Sequence, residues 1–279
     1  MGRLLVVLNV VKLWLLLLVL CALLGAVGWV VGGYRLLSFC VFCALLVAGA
    51  LYWYADRATL GLVGARELPL AEGPGLHSAV ERLAARAGVA KPRLYLIPDG
   101  LPRSLVAGRG PRGSALAVSR GLLGALPPAE LEGVLAHELA HVRNRDVVVQ
   151  SATVLVAAAL VETSRIGGWL ERALLFLLGP IAAAFVHLML SPKREFAADR
   201  AAAALCDSPH GLADALSRME QAAELVQFAA NPATEPLYPF NPFLEQGVAA
   251  MFVTHPPIAE RVRRLRELDP AWRERLQAA

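Results

Sequence analysis

Apolar positions in this chain are arranged in two ways: long unbroken runs and short periodic stretches. Leu4 to Leu24 is a run of about 21 residues broken only by Asn9 and Lys12, long enough for a helix to cross a bilayer. A cleaved signal peptide is the competing reading, but the run exceeds a signal core and a second run follows at once. Gly25 to Gly33 reads as a turn, with Trp29 near the interface. Leu36 to Tyr54 is an uncharged run of about 19 residues closing on Tyr52-Trp53-Tyr54, an interfacial aromatic belt, with Asp56-Arg57 as the exit. These two segments predict a transmembrane hairpin over residues 1–56.

Periodicity replaces continuity from Arg57 to Asp146. His77 to Val89 carries Val80, Leu83, Ala84 and Ala87 at helical spacing. Arg93 to Ile97 reads as a strand closed by Pro98-Asp99-Gly100. Ser104 to Ala107 and Ala115 to Val118 flank a Gly/Pro-rich turn, which predicts a hairpin. Such a sheet offers an edge to an extended peptide, although most edge strands bind nothing. Pro127-Pro128-Ala129-Glu130 then starts a helix on which Leu131, Val134, Leu135, Leu139 and Val142 repeat along one face.

Unbroken apolar character returns at Val147 to Val161 and at Ala173 to Leu190, the latter with Pro180 as a kink and His187 as its one ionisable group. Lack of charge favours a second membrane-inserted hairpin over 147–190, with core helices of a soluble protein as the alternative. His187 is either functional or a satisfied packing histidine. Residues 57–146 and 191–279 form the remaining, polar-faced parts.

Composition sharpens this picture. The chain is 57% hydrophobic and 18% charged, with a mean hydropathy of +0.53, beyond what a soluble core requires. A net charge of +4 comes without any basic run interleaved with aromatics, so nucleic acid is not an expected partner; the lipid bilayer is. Cys40 and Cys43 form a C-x-x-C string among apolar neighbours and read as small packing residues, with no disulfide framework.

Candidate chemistry sits on the helix after Pro127. His137 and His141 stand one turn apart and can share one Zn²⁺, and Glu138 beside them is suited to act as general base. Hydrolytic zinc takes three protein ligands and a water, so the third belongs on a separate helix. Ser191-Pro192 reads as a break and helix start that turns Glu195 toward the metal, and Asp199, one turn on, is placed to accept a proton-bearing ligand nitrogen. A solvated helix carrying two histidines, and an exposed i, i+4 acidic pair, are the plain alternatives.

Taken in order, two N-terminal spans, the L-x-x-V-L-A-H-E-L-A-H-V-R-N-R-D helix, two further apolar segments, S-P-K-R-E-F-A-A-D, and Thr254-His255-Pro256-Pro257 with Arg261 nearby resemble the HtpX-like membrane metallopeptidases, related to the CaaX prenyl proteases. The resemblance implies an α+β, mostly helical fold: a zincin-type domain with a small sheet, attached to about four transmembrane helices. It implies a zinc endopeptidase with one Zn²⁺ at His137, His141 and Glu195, and Glu138 catalytic. Such enzymes sit in the bacterial inner membrane, face the cytoplasm and cleave damaged or misassembled membrane proteins. By the family's H-P motif and the arginine after it, His255 and Arg261 become candidate donors to the tetrahedral oxyanion, with helix capping as the alternative; Tyr238 is a weaker third. One departure stands out. The family's Asn-Ala-Phe-Ala-type segment is matched here by Arg103-Ser104-Leu105-Val106-Ala107-Gly108, without the asparagine.

Two other function classes compete. A zinc-binding membrane adaptor or sensor needs ligands but no base, so Glu138 counts against it. A peptidase-type receptor would be expected to carry a separate ligand-binding domain, and none is visible.

Overall fold

The computed structural model describes residues 2–165, 171–224 and 251–269. Helix α1 spans Gly2–Leu62 and is interrupted at Gly32 and Gly33, where φ of Gly33 is +62°. A β-carbon on Gly25 would lie 3.0 Å from Leu37, and one on Gly28 would lie 2.7 Å from the Leu36 carbonyl oxygen. Residues that far apart in sequence meet only if the chain folds back, so α1 is a helical hairpin with close-packed glycine faces. The expected turn over Gly25–Gly33 is thus narrower: Gly25 to Val31 remain helical, and two glycines make the reversal.

Four strands follow or intervene: β1 (Arg66–Glu67), β2 (Arg93–Ile97), β3 (Ser104–Gly108) and β4 (Ser114–Ser119). Helix α2 (Pro74–Ala87) lies between β1 and β2. The sheet order is β1-β2-β4-β3, with β2 parallel to β4 and β3 antiparallel to β4, so β3 is an edge. The β3–β4 hairpin expected from the Gly/Pro turn is present. Parallel pairing of β2 with β4, and the short β1, had no local signature.

Alternation along the strands buries both faces of the sheet. Leu94, Leu96, Val106, Leu116 and Val118 pack on one side with α2 and with α4 (Pro128–Asn144). Ile97, Leu105, Ala107, Ala115 and Ala117 pack on the other with Leu60 and Val63 at the end of α1 and with Val154 of α5 (Asp146–Arg165). Short helix α3 (Arg120–Ala125) links β4 to α4, its Ser119 cap accepting from the Leu122 amide at 3.0 Å.

Helix α4 differs from the amphipathic expectation. Every residue from Gly133 to Val142 is buried, because the sheet, α7 (Lys193–Leu205) and α8 (His210–Glu224) enclose it. Gly133 and Gly211 permit this closeness: a β-carbon on Gly133 would stand 2.6 Å from the Leu212 nitrogen. α4 ends at Arg145 in the left-handed region (φ 61°), and α5 departs at 91°. Helix α6 (Glu171–Met189), with Pro180 inside it, packs against α5 through Ala182, Ala183 and Val186. His187 is exposed, its Nε2 2.9 Å from the Met251 carbonyl oxygen. Helix α9 (Ile258–Arg266) closes the described chain; Leu265 is buried on it, and Leu268 lies beyond its end and is exposed.

By length and composition, the stretch Gly28–Ala50, which takes in the reversal and the arm of α1 after it, is the one candidate membrane span among the described residues, or one of up to three if each bent helix pair counts as one. The expected four are therefore matched only in part.

Candidate active site

Three elements converge at the C-terminal half of α4. One turn of helix brings His137 and His141 together, their rings edge to face and their Nε2 atoms 3.2 Å apart. Helix α7 presents Glu195 from the opposite side, its carboxylate oxygens 3.5 Å from His137 Nε2 and 3.6 Å from His141 Nε2. Ligand atoms of the three residues all lie within 4.8 Å of one another, and all three side chains are buried.

Flanking acids set the orientation of the imidazoles. His137 Nδ1 stands 2.9 Å from Asp199 Oδ1, one turn along α7 from Glu195, and His141 Nδ1 stands 2.9 Å from Asp146 Oδ2. Acceptors at both Nδ1 atoms place the ring protons there and turn both Nε2 lone pairs inward, toward each other and toward a carboxylate. Those groups repel unless a cation or extra protons sit among them. Both Glu195 oxygens are buried without a hydrogen-bond partner in the described structure. An N, N, O donor set with inward lone pairs and a buried carboxylate that makes no hydrogen bond fits a zinc ion.

Electrostatics of the metal-free cluster agree. Burial opposes charge on His141, yet the Glu195 and Asp146 carboxylates outweigh it and push its pKa up to about 10. His137 is raised as well: burial disfavours its charge, but Asp199 and Glu195 prevail. Glu195 is held well below the usual carboxylate range despite burial, chiefly by His255 and His141. For Asp199 burial is overcome by the Arg261 guanidinium, bringing its pKa to about 2.

Glu138 is buried beside the two histidines, and Ser104 Oγ on the edge strand donates to its Oε1 at 2.7 Å. Ser104 opens β3 and shares the α4-facing side of that strand with Val106. His255 lies inside the site, its Nδ1 3.2 Å from Glu195 Oε2. Arg261 also reaches the site, its Nη2 3.8 Å from Glu195 Oε2. It is fully buried behind the trio, donating from Nε and Nη2 to the two Asp199 oxygens at 2.9 and 2.7 Å. Tyr238 lies outside the described residues.

Two participants escaped the sequence reading. Asp146 was visible as the last residue of the H-E-x-x-H helix motif, but its role depends on the left-handed turn at Arg145 that swings it back to His141. Ser104 marks in the sequence only the place of a missing asparagine, yet its hydroxyl donates to Glu138.

A small sheet with a bent H-E-x-x-H helix, and a glutamate entering from a later helix, define the architecture of a helical, membrane-associated peptidase. The profile of peptidase family M48 matches residues 71–269. Relatives named "Protease HtpX homolog" include one from Persephonella marina, 38% identical over 280 residues, covering 93% of this chain and 97% of the relative. Another, from Acidiphilium cryptum, is 40% identical over 279 residues, covering 93% and 96%. The chain therefore belongs to peptidase family M48 and is a hydrolase of peptide bonds. Among solved structures, S. mikatae Ste24p superposes with a TM-score of 0.50 at 17% identity, covering 91% of this chain and 66% of that one, a likeness of fold alone.

Proposed function

We propose that this protein is a membrane-bound zinc endopeptidase acting on proteins of the bacterial inner membrane, in their quality control, with its catalytic domain in the cytoplasm. The observation that carries the zinc reading is the inward-facing trio of His137, His141 and Glu195, whose ligand atoms all lie within 4.8 Å of one another and whose side chains are all buried. Those three residues hold the ion, which when bound supplies Lewis acidity and a lowered water pKa.

The remaining chemistry belongs to the chain. Glu138 takes a proton from the attacking water and delivers it to the leaving amine. Ser104 holds the Glu138 carboxylate by one oxygen and leaves the other for water. Asp199 and Asp146 fix the ligand imidazoles, and Arg261 neutralises and orients Asp199 as a positioning residue. His255 is the closest candidate to donate to the oxyanion. An extended substrate adds along β3, the sheet edge that also carries Ser104.

Residues 57–146 and 191–279 make the catalytic domain, and 1–56 and 147–190 the membrane-inserted parts. With four segments crossing, Arg3, Arg57, Arg66, Arg143, Arg145, Lys193 and Arg194 fall on one side and only Arg35, Arg165 and Arg172 opposite, a bias that supports a cytoplasmic domain. The test is zinc content of the purified protein together with cleavage of casein or a model membrane protein, with and without chelator. Stoichiometric zinc and chelator-sensitive cleavage are expected; zinc without cleavage would favour the adaptor reading.

A further inference from the structure

Away from the catalytic cluster, a cavity of about 340 Å³ lies where α1 leaves its apolar stretch. Trp53, Tyr54, Asp56 and Arg57 of α1, Arg93 of β2, and Arg109 and Gly113 of the β3–β4 turn line it. Its size falls in the range of small-ligand sites. Its place along the chain is specific: Trp53 comes three residues after the end of the Gly28–Ala50 segment, at the level where a membrane surface would lie.

The lining has a definite chemistry. Three guanidinium groups face one carboxylate. Arg93 pairs with Asp56 at 3.0 Å, so its charge is largely answered. Arg57 and Arg109 have no acidic partner among the described residues; their guanidinium groups instead lie over aromatic rings, Arg109 4.8 Å from the Trp53 centroid and Arg57 5.9 Å from that of Tyr54. Stacking holds a planar guanidinium while leaving its N–H edge open, the geometry that takes a phosphate through two parallel hydrogen bonds. Asp56 Oδ1 is buried with no hydrogen-bond partner, an acceptor waiting for a hydroxyl or ammonium.

We propose that this cavity binds the headgroup of an anionic glycerophospholipid, its phosphate between Arg57 and Arg109 and its hydroxyl on Asp56. Phosphate alone satisfies the arginines; the lipid is favoured as its source because the aromatic rings and the adjoining span place the cavity at bilayer depth. This rests on the reading of Gly28–Ala50 as a membrane span but not on catalysis. Bound lipid would tie β2 and the β3–β4 turn to α1, so a headgroup would brace the edge strand that carries Ser104.

The test uses the full chain in nanodiscs of phosphatidylcholine alone or with phosphatidylglycerol, and counts retained lipid by native mass spectrometry after release into neutral detergent. Phosphatidylcholine has the phosphate but neither net charge nor a headgroup donor. One phosphatidylglycerol per chain should be retained preferentially, and Arg57→Gln/Arg109→Gln should reduce retention at least tenfold. Arg112→Gln, on the same turn but exposed and outside the lining, should leave it unchanged. Equal loss in Arg112→Gln, or no preference over phosphatidylcholine, overturns the proposal. Saturable binding of inorganic phosphate in detergent, lost in the double variant but without lipid retention, overturns the lipid as its source. Failure to enter nanodiscs would count against the span itself, and casein cleavage by the same preparations reports separately on the peptidase reading.

Discussion

Ser104 donates to Glu138 across 2.7 Å, joining the first residue of the edge strand to the acid beside the paired histidines. The strand that would receive substrate therefore also aims the base. Ser104→Ala should lower kcat about tenfold, the worth of one hydrogen bond to a charged acceptor, with little change in KM or zinc content. Ser104→Thr, which keeps the hydroxyl, should recover most of the loss. Unchanged kcat in Ser104→Ala would remove Ser104 from the machinery.

Glu138→Gln should abolish proteolysis while leaving the fold and zinc content near normal. The amide matches the carboxylate in size but cannot take a proton, and Glu138 stands outside the His137-His141-Glu195 trio. Cleavage of a model membrane protein at matched zinc occupancy is the measurement. Equal rates for variant and wild type would sink the general-base assignment.

Zinc retention should fall in two grades. Glu195→Ala removes a ligand and should leave the protein essentially zinc-free, whereas Asp199→Ala loosens His137 and should weaken zinc affinity roughly 10–100-fold. Asp199→Ala also removes the two hydrogen bonds that hold the buried Arg261, so a lower Tm should accompany it. Metal analysis with thermal unfolding separates the grades. Full zinc in Glu195→Ala would exclude that residue.

Zinc uptake should release protons. In the metal-free site the pKa of His141 stands at about 10, above its unfolded value, so its imidazolium stabilises the apo fold fully below about pH 6.5. That contribution is lost as pH rises through about 10. Zinc must displace the proton, so apparent affinity should rise by about tenfold per pH unit for each proton displaced between pH 7 and 9. Titration in weak buffer with an indicator dye measures the release; pH-independent affinity would contradict the arrangement.

Labelling should place the α1 reversal and the catalytic domain on opposite sides of the membrane. In a background lacking Cys21, Cys40, Cys43 and Cys206, Tyr34→Cys should react with an impermeant reagent from outside and Glu81→Cys only after lysis. Both positions are exposed, so access alone decides. Outside labelling at Glu81→Cys would reverse the assigned orientation.

The sequence by itself determined what is local or periodic. Continuous apolar runs announced the α1 arms, short strand-like stretches bounded by Gly/Pro turns announced β2 and the β3–β4 hairpin, and helical spacing put His137 and His141 on one face. The runs are read by their length against a bilayer, the turns by their Gly and Pro, and the paired histidines by the 3.6-residue repeat of the helix. It also pointed to Glu195, because zinc hydrolysis calls for a third ligand from another helix. Tertiary structure alone decided the rest. Parallel pairing of β2 with β4 made β3 the edge, and the left-handed Arg145 returned Asp146 to His141. Packing of α9 behind α7 turned Arg261 onto Asp199, and the meeting of α1 with the β3–β4 turn set Arg109 over Trp53. Each joins residues from different elements, and such contacts depend on how whole elements dock, which no local spacing records.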